Sequence, residues 1–194
     1  MCKRKGVAEL RIISGTAKGR ILHAPRGQKT RPTADRVKEA VFSTLSSKIP
    51  EARVFDVFAG TGALGLEALS RGAKEAVLTE SSRTAFLALE KNVQAVALPN
   101  AFIYQCDCLK MIPVLKSKKK QFDIIFLDPP YNCSWLDKVV EALLKANLLA
   151  EDGLLVVETA FKEQEVFAKD NLELLKRVKY SDTIIEYYRK TNQS

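Results

Sequence analysis

The chain has 194 residues, of which 46% are hydrophobic, and its formal net charge is +8. This length and apolar content suit one folded domain with a sizeable core and exclude general disorder. No stretch approaches the roughly 20 apolar residues of a membrane span, and no long apolar run follows the basic start. The four cysteines fit neither a zinc site nor a disulfide framework, and there is one histidine. We therefore predict a cytoplasmic protein with free thiols, no metal and no membrane partner.

The positive charge is concentrated near the start of the sequence. Residues 1–36 hold ten lysines or arginines and two acids, whereas the remainder holds 21 residues of each sign. A neutral body with a basic front end is typical of proteins that bind a polyanion, most commonly nucleic acid. We divide the chain accordingly into a basic extension, 1–36, and a body, 37–194. A solvated tail is the favoured interpretation of residues 1–9, and a binding surface that of residues 10–36.

The extension is predicted to contain a hairpin and the start of a helix. Two apolar pieces, residues 10–13 and 20–23, flank a turn that is rich in glycine. Thr33 can cap a helix in which Asp35 occupies the second or third position, where a carboxylate favours the helix dipole.

From residue 53 onward, strand, loop and helix alternate. The predicted strands are 53–59, 76–80, 102–106, 122–127 and 154–158, and the predicted helices are 63–71, 82–96, one through Leu109 and Leu115, and 135–146. Two final strands, 172–175 and 183–188, are close enough in sequence to form an antiparallel pair at one edge. The pattern predicts an α/β fold: a doubly wound, seven-stranded, mostly parallel sheet covered on both faces.

A glycine-rich loop, "DVFAGTGALGLE", lies between the first predicted strand and its helix. Gly60, Gly62 and Gly65 match G-x-G-x-x-G in the strand–loop–helix context that this nucleotide-binding pattern requires. Glu80 follows Gly60 by 20 residues and ends the second strand, where a carboxylate can bind both hydroxyls of a ribose. A nicotinamide dinucleotide would fit these features.

Two further acids favour a different cofactor. Asp56 would repel the pyrophosphate of a dinucleotide but suits the cationic amino acid and sulfonium end of S-adenosylmethionine. Asp107 follows the third strand, where it can accept a hydrogen bond from an adenine amine. In the alternative interpretation Asp56 caps a turn and Asp107 caps the next helix. The predicted cofactor-binding residues of the loop and strands are Asp56, Phe58, Ala59, Gly60, Thr61, Gly62, Glu80 and Asp107.

The stretch "FLDPPYN" places an acid and two prolines directly after the fourth strand. An exocyclic base amine is a poor nucleophile because its lone pair is delocalised into the ring. The Asp128 carboxylate and the Pro129 carbonyl can hold its hydrogens and aim the lone pair at a methyl group. Pro130 stiffens the turn without adding an N–H, and Tyr131 can stack on the base. The simpler alternative is a proline-rich turn that only ends a strand.

The loop and the Asp-Pro-Pro-Tyr tetrapeptide resemble class I S-adenosylmethionine-dependent amino-methyltransferases. The blocks "RIISGTAKGRIL", "RPTADRVKEAVF", "FDVFAGTGALGLEALSRGA", "FDIIFLDPPY" and "VVE" resemble, in that order, the bacterial RsmD-type ribosomal RNA guanine-N2 methyltransferases. The resemblance implies methylation of one guanine N2 amine in small-subunit ribosomal RNA, with that RNA or the small ribosomal subunit as partner. It also implies that Arg31 and Thr33 line the active cleft. Ser14, where the family usually has glycine, and "YSDT", in place of Tyr-Gly-Asp-Thr, are mild departures.

On this interpretation the basic extension binds RNA phosphates and the protein acts as a monomer. The predicted RNA contacts are Arg11, Lys18, Arg20 and Arg26. Rival interpretations are a DNA adenine or protein glutamine methyltransferase, a non-catalytic binding module, and a dehydrogenase. The extension disfavours both of the other methyltransferases, and the intact tetrapeptide disfavours the binding module. Asp56, together with the lack of a catalytic His or Tyr-Lys pair, disfavours the dehydrogenase.

Overall fold

The computed structural model describes residues 10–24, 32–129, 135–160 and 171–191. Its helices and strands, in chain order, are α1 (Pro32–Thr44), β1 (Arg53–Asp56), α2 (Ala63–Ser70), β2 (Glu75–Glu80), α3 (Arg83–Val96), β3 (Ala101–Gln105), α4 (Cys108–Ser117), β4 (Phe122–Leu127), α5 (Leu136–Lys145), β5 (Leu149–Ala160), β6 (Leu172–Tyr180) and β7 (Thr183–Lys190). Within these ranges no helix is both long and apolar enough to cross a membrane. The same ranges contain no group of three or more His, Cys, Asp or Glu that could hold a metal ion.

The strands form one sheet in the order β3-β2-β1-β4-β5-β7-β6. Strands β1 to β5 pair in parallel, and β7 pairs antiparallel with both β5 and β6. The predicted mostly parallel, seven-stranded sheet is confirmed. The chain reverses its direction of travel across the sheet between β1 and β4. A crevice at the carboxyl ends of the strands is expected at such a switch point.

Alternating strand residues supply two separate cores, one on each face of the sheet. Val54 packs with α1, α2, α3 and the segment 10–24, whereas its neighbour Phe55 packs with α4 and α5. The same alternation assigns each residue at a strand end to one face. It directs Asp56 and Asp128 to the face that carries α1 and α2.

The predicted N-terminal hairpin is paired through a bridge between Arg11 and Ile21 and through backbone hydrogen bonds of 2.7–2.9 Å that join its two sides. Other backbone groups of the same segment bond to α2. The N–H groups of Ile13 and Ser14 donate to the Glu67 carboxylate at 2.8 and 3.0 Å, and the Ala17 N–H donates to Ser70 Oγ at 2.9 Å. Segment 10–24 is therefore docked on the helix that follows the glycine loop.

Glu67 organises this docking from a fully buried position. Its carboxylate lies 3.3 Å from Lys38 Nζ and accepts a hydrogen bond from Arg71 Nε at 2.7 Å. Lys38 Nζ also donates to the Arg11 carbonyl at 2.5 Å. Burial lowers the pKa of Lys38, while the neighbouring Glu67 opposes that shift. A buried carboxylate needs paired cations and hydrogen bonds of this kind, and here they connect α1 and the N-terminal segment to α2.

Some predicted boundaries differ from the structure. Helix α1 begins at Pro32, so Thr33 lies within its first turn and not at the capping position before it; proline is favoured at the first helical position, where no N–H is needed. Strand β1 ends at Asp56, although the Val57 and Ala59 N–H groups still bond to the Phe126 and Thr79 carbonyls.

Strands β5 and β6 are longer than predicted. Their extra residues include charged, exposed positions that no apolar pattern reveals. The predicted division after residue 36 falls inside α1, and Ile12 and Leu22 join the core beside α2. A separate functional role for the extension stays a prediction.

Candidate active site

A cleft of about 900 Å³ opens at the carboxyl ends of β1, β2, β4 and β5, beside α1. Nine predicted site residues line it: Asp56, Phe58, Ala59, Gly60, Thr61, Glu80, Asp107, Asp128 and Pro129. Residues far apart in sequence meet here because parallel strands end at the same edge of the sheet. A second concavity of about 820 Å³, between His23 and α3, contains none of the predicted site residues.

The three glycines of the loop have different physical roles. Gly60 has φ +55° and a side chain there would meet open space, so its backbone is open to a ligand. A Cβ on Gly62, which has φ +82°, would lie 2.5 Å from Leu89 Cδ1. At Gly65 it would lie 2.6 Å from Leu78 Cδ2. Gly62 and Gly65 therefore allow α2 to pack closely, and the predicted cofactor contact of Gly62 stays a prediction.

Glu80 braces the glycine loop. One carboxylate oxygen accepts a hydrogen bond from the Gly60 N–H at 2.9 Å, and the other accepts from the Ser82 N–H at 2.7 Å. Each carboxylate oxygen has a second acceptor position. The side chain can thus hold the loop and still accept hydrogen bonds from a ligand in the cleft.

Asp56 has a buried oxygen without a partner. Its Oδ2 accepts a hydrogen bond from the Gly65 N–H at 3.0 Å, whereas Oδ1 has no hydrogen-bonding partner among the described residues, and Asp56 is 1% exposed. Burial raises the pKa of Asp56 to about 7 despite the Gly65 hydrogen bond, and the nearby acids Asp128 and Glu80 add to the increase. An unpaired buried carboxylate oxygen is costly unless a donor or a cation reaches it.

Asp107 caps helix α4, as the alternative interpretation of the sequence suggested. Its side chain accepts a hydrogen bond from the Leu109 N–H at 2.8 Å. The residue also lines the cleft. The two roles are compatible because a carboxylate has two oxygens, and an adenine contact stays a prediction.

Asp128 and Pro129 follow β4 directly and line the cleft between β1 and β5. Burial raises the pKa of Asp128 to about 6, so its carboxyl is mostly ionised at neutral pH. Arg26, Arg31, Pro130 and Tyr131 lie outside the described residues, as does the side chain of Thr33. Their predicted roles therefore stay predictions.

The charge of the cleft is strongly negative. Among its described lining residues, six acids stand against one base, Lys38, which is already paired with Glu67. The acids are Asp56, Glu80, Asp107, Asp128, Glu158 and Asp182. Such a site favours a cationic ligand and repels a pyrophosphate. By contrast, Arg11, Lys18 and Arg20 are exposed on segment 10–24.

The lining residues that were not predicted from the sequence include Lys38, Trp135, Glu158 and Asp182. Glu158 had an available signal, because it ends a buried apolar run just as Glu80 and Asp128 do. Trp135 packs edge-on against Phe58, with ring centroids 5.5 Å apart, and nothing in its local sequence indicates this contact. Lys38 is hidden by its position in an amphipathic helix, where a lysine usually faces solvent.

The chain is similar to known proteins over most of its length. The family model described as "Conserved hypothetical protein 95" matches residues 10–189. The ribosomal RNA small subunit methyltransferase D of Haemophilus influenzae is 36% identical over 172 residues, which cover 87% of each chain. The structure of the putative methyltransferase yhhF from Escherichia coli superposes with a TM-score of 0.84 at 33% identity, covering 95% of this chain and 99% of that one.

A more distant structure shares the fold. SMU.776, described as a putative methyltransferase complexed with SAH, has a TM-score of 0.65 at 17% identity, and the match covers 78% of this chain and 49% of that one. The family model and the relatives at more than 30% identity cover nearly the whole chain. This protein therefore belongs to the Conserved hypothetical protein 95 family, the family of the RsmD ribosomal RNA methyltransferases.

Proposed function

We propose that this protein transfers a methyl group from S-adenosylmethionine to the exocyclic N2 amine of a guanine in small-subunit ribosomal RNA. The observation that carries the proposal is the meeting, in one acidic cleft, of a glycine loop, the unpartnered Asp56 Oδ1 and the Asp128-Pro129 step. The family membership and the name of the Haemophilus influenzae relative support an RNA substrate.

The residues of the cleft fit the proposed methyl donor part by part. The unpartnered Asp56 Oδ1 is suited to the cationic amino acid end, and the free acceptor positions of Glu80 are suited to ribose hydroxyls. Asp107, which follows β3, can accept a hydrogen bond from the adenine amine. When bound, S-adenosylmethionine supplies an electrophilic methyl group on a sulfonium.

The chain itself contributes the positioning of the amine. The ionised Asp128 carboxylate and the Pro129 carbonyl accept its two hydrogens, which orients the nitrogen lone pair out of conjugation and into the cleft. The amine loses one proton during the transfer, and the Asp128 carboxylate, hydrogen-bonded to it, accepts that proton. Direct displacement needs no covalent adduct with the enzyme, so no nucleophilic side chain is required.

The proposed reaction is tested by label transfer. Small-subunit ribosomal RNA from a strain that lacks this enzyme is incubated with the purified protein and methyl-labelled S-adenosylmethionine. The labelled nucleoside is then isolated and mapped. N2-methylguanine at one position is the expected product. Label on adenine or on protein, or no transfer of label at all, would contradict the proposal. Comparing naked RNA with assembled subunits identifies the form of the substrate.

Replacing Glu80 with alanine is expected to weaken binding of S-adenosylmethionine. The variant removes the acceptors for the ribose and the brace of the Gly60 N–H. Hydrogen bonds to charged groups contribute about 1.5–3 kcal/mol each, which corresponds to roughly 10- to 150-fold in Kd. Titration calorimetry measures the loss. Glu75→Ala, at the other end of β2, is the matched control and should bind S-adenosylmethionine normally. If both variants bind it with the same affinity, the assignment of Glu80 to the ribose is wrong.

Affinity for S-adenosylmethionine is expected to fall as the pH drops below about 7. The cationic end binds the ionised form of Asp56, and burial holds the pKa of this acid near neutrality in the free protein. Below that value a proton must leave before the ligand binds, so Kd rises by up to about tenfold per pH unit. Asp56→Asn should bind weakly and lose this dependence. Adenosine, which lacks the amino acid end, serves as the control ligand, and a flat wild-type profile would contradict the assignment.

A further inference from the structure

A second carboxyl group, that of Glu158, lies beside Asp128 at the end of β5. Leu127 of β4 pairs in parallel with Val157 of β5, so the next residue of each strand stands at the same level. Phe126 and Val156, two residues earlier, both pack on the α1 face. Alternation therefore directs both carboxyls toward that same face, and both line the cleft.

Among the residues that the structure describes, none provides a cation for Glu158. Its neighbour on β7 is Ile185, and the turn before β7 contributes Asp182 to the same cleft. The nearest acid on β4 is Asp128. Lys38 of α1 is held by Glu67 and by the Arg11 carbonyl. Within the described ranges, no hydrogen bond or ion pair involves the carboxyl of Glu158.

Like charges side by side favour one shared proton in such a pair. Burial, and then the charge of Asp128, raise the pKa of Glu158 to about 8. Burial raises the pKa of Asp128 less far, to about 6. At neutral pH the proton therefore resides on Glu158, and Asp128 remains ionised. The pair offers one carboxylate and one neutral acid.

These two forms match neighbouring groups on a guanine. The N2 amine presents two donors, which suit the Asp128 carboxylate and the Pro129 carbonyl. The adjacent N1–H is a donor and O6 is an acceptor, which suit the carbonyl and hydroxyl of a neutral acid. We propose that Glu158, as a neutral carboxylic acid, binds the N1–H and O6 edge of the target guanine and so determines base specificity. This inference rests on the proposed guanine-N2 methylation.

The proposed contact with Glu158 would distinguish guanine from other bases that carry the same N2 amine. 2-Aminopurine has the N2 amine but lacks both the N1 hydrogen and O6, so it loses both hydrogen bonds to Glu158. A bidentate contact of this type discriminates by about 10- to 100-fold. The wild-type protein should therefore methylate an RNA fragment with guanine at the mapped position that much faster than one with 2-aminopurine there.

Two variants test the role of Glu158 with these RNAs. Glu158→Ala should lose most of the discrimination, chiefly by slowing reaction with guanine. Glu158→Gln should retain it, because the amide carbonyl and NH₂ group reproduce the acceptor and donor of a neutral acid. Glu151→Ala, an exposed acid at the other end of β5, is the matched control and should behave as wild type. Cofactor affinity and thermal unfolding report whether each variant is folded.

The pH dependence gives an independent readout. Wild-type turnover on guanine should fall above about pH 8, where Glu158 loses the proton that it donates to O6 and adds a charge beside Asp128. Glu158→Gln has no such proton to lose and should keep its rate there. This comparison of pH profiles uses an isosteric variant, so it remains a valid test even if Glu158→Ala does not fold.

Each remaining result has a distinct meaning. Unchanged discrimination in Glu158→Ala, or none in the wild type, overturns the base-reading role. A Glu158→Gln variant as inactive as Glu158→Ala overturns the neutral acid and assigns a carboxylate. If the wild type makes no N2-methylguanine at all, the proposed function fails, and this failure is recognised before any variant is compared.

Discussion

Replacing Asp128 with alanine is expected to lower kcat by about 10²–10⁴-fold while S-adenosylmethionine still binds, which is the range for a lost acid–base or positioning group. The variant removes the carboxylate that holds the target amine and accepts its proton. It leaves the glycine loop and its brace on Glu80 intact. Single-turnover methyl transfer measures the chemical step, and calorimetry measures cofactor binding.

Asp128→Asn tells positioning from proton acceptance. The amide oxygen can still accept one hydrogen from the amine but does not take up a proton, so partial activity indicates positioning and none indicates the proton role. Asp123→Ala, at the opposite end of β4, is the matched control; it breaks the ion pair with Arg53 but lies outside the cleft. Near-normal turnover in Asp128→Ala would remove Asp128 from the mechanism.

Loss of activity in Asp128→Ala should not come from unfolding. Asp128 lies among other acids of the cleft, and its charge raises the pKa of both Asp56 and Glu158. Its removal relieves this repulsion, so the Tm of the variant should equal or exceed that of the wild type. A clear decrease in Tm would mean that Asp128 also has a structural role.

Removing four basic residues of the extension is expected to abolish methyl transfer to RNA without changing the affinity for the cofactor. The variant replaces by alanine the residues Arg11, Lys18, Arg20 and Arg26. Each phosphate contact contributes about 0.7 to the slope of log affinity against log salt on single strands, so four lost contacts lower its magnitude by about 3. Filter binding over a salt series measures this slope.

The structure explains why the basic residues of segment 10–24 should contribute more to RNA binding than those of a free tail. Segment 10–24 is held on α2 by Glu67 and Ser70, so its exposed cations lose little conformational entropy when they bind. The acidic cleft repels phosphates, so the RNA backbone should remain outside while one base enters.

A matched variant removes four exposed lysines from the opposite side of the sheet and from the far end of the strands: Lys116, Lys118, Lys119 and Lys145. It loses as much positive charge but should keep the wild-type salt slope and activity. If both variants lose the same slope, RNA binding depends on net charge alone. If neither does, another face binds the RNA.

The sequence alone was sufficient for those features that depend on neighbouring residues. The alternation of buried strands and helices predicted the sheet and most of its elements, because apolar periodicity reflects local burial. The glycine spacing predicted the loop, and the acid-proline step predicted the position of Asp128, because each of these motifs consists of residues that are close in sequence. Even Glu158 followed the rule that had identified Glu80 and Asp128, namely an acid that directly ends a buried strand.

Only the tertiary structure decided which of these residues meet. Glu158 stands beside Asp128 because β4 and β5 pair in one register, although 30 positions separate the two residues, and a shift by one residue would direct Glu158 to the other face. The unpartnered oxygen of Asp56 depends on how α2 presents its Gly65 N–H. The predicted hairpin is held on α2 by Glu67 and Ser70, which lie more than 50 positions away. Such contacts depend on distant partners, and no local pattern of charge or hydrophobicity specifies them.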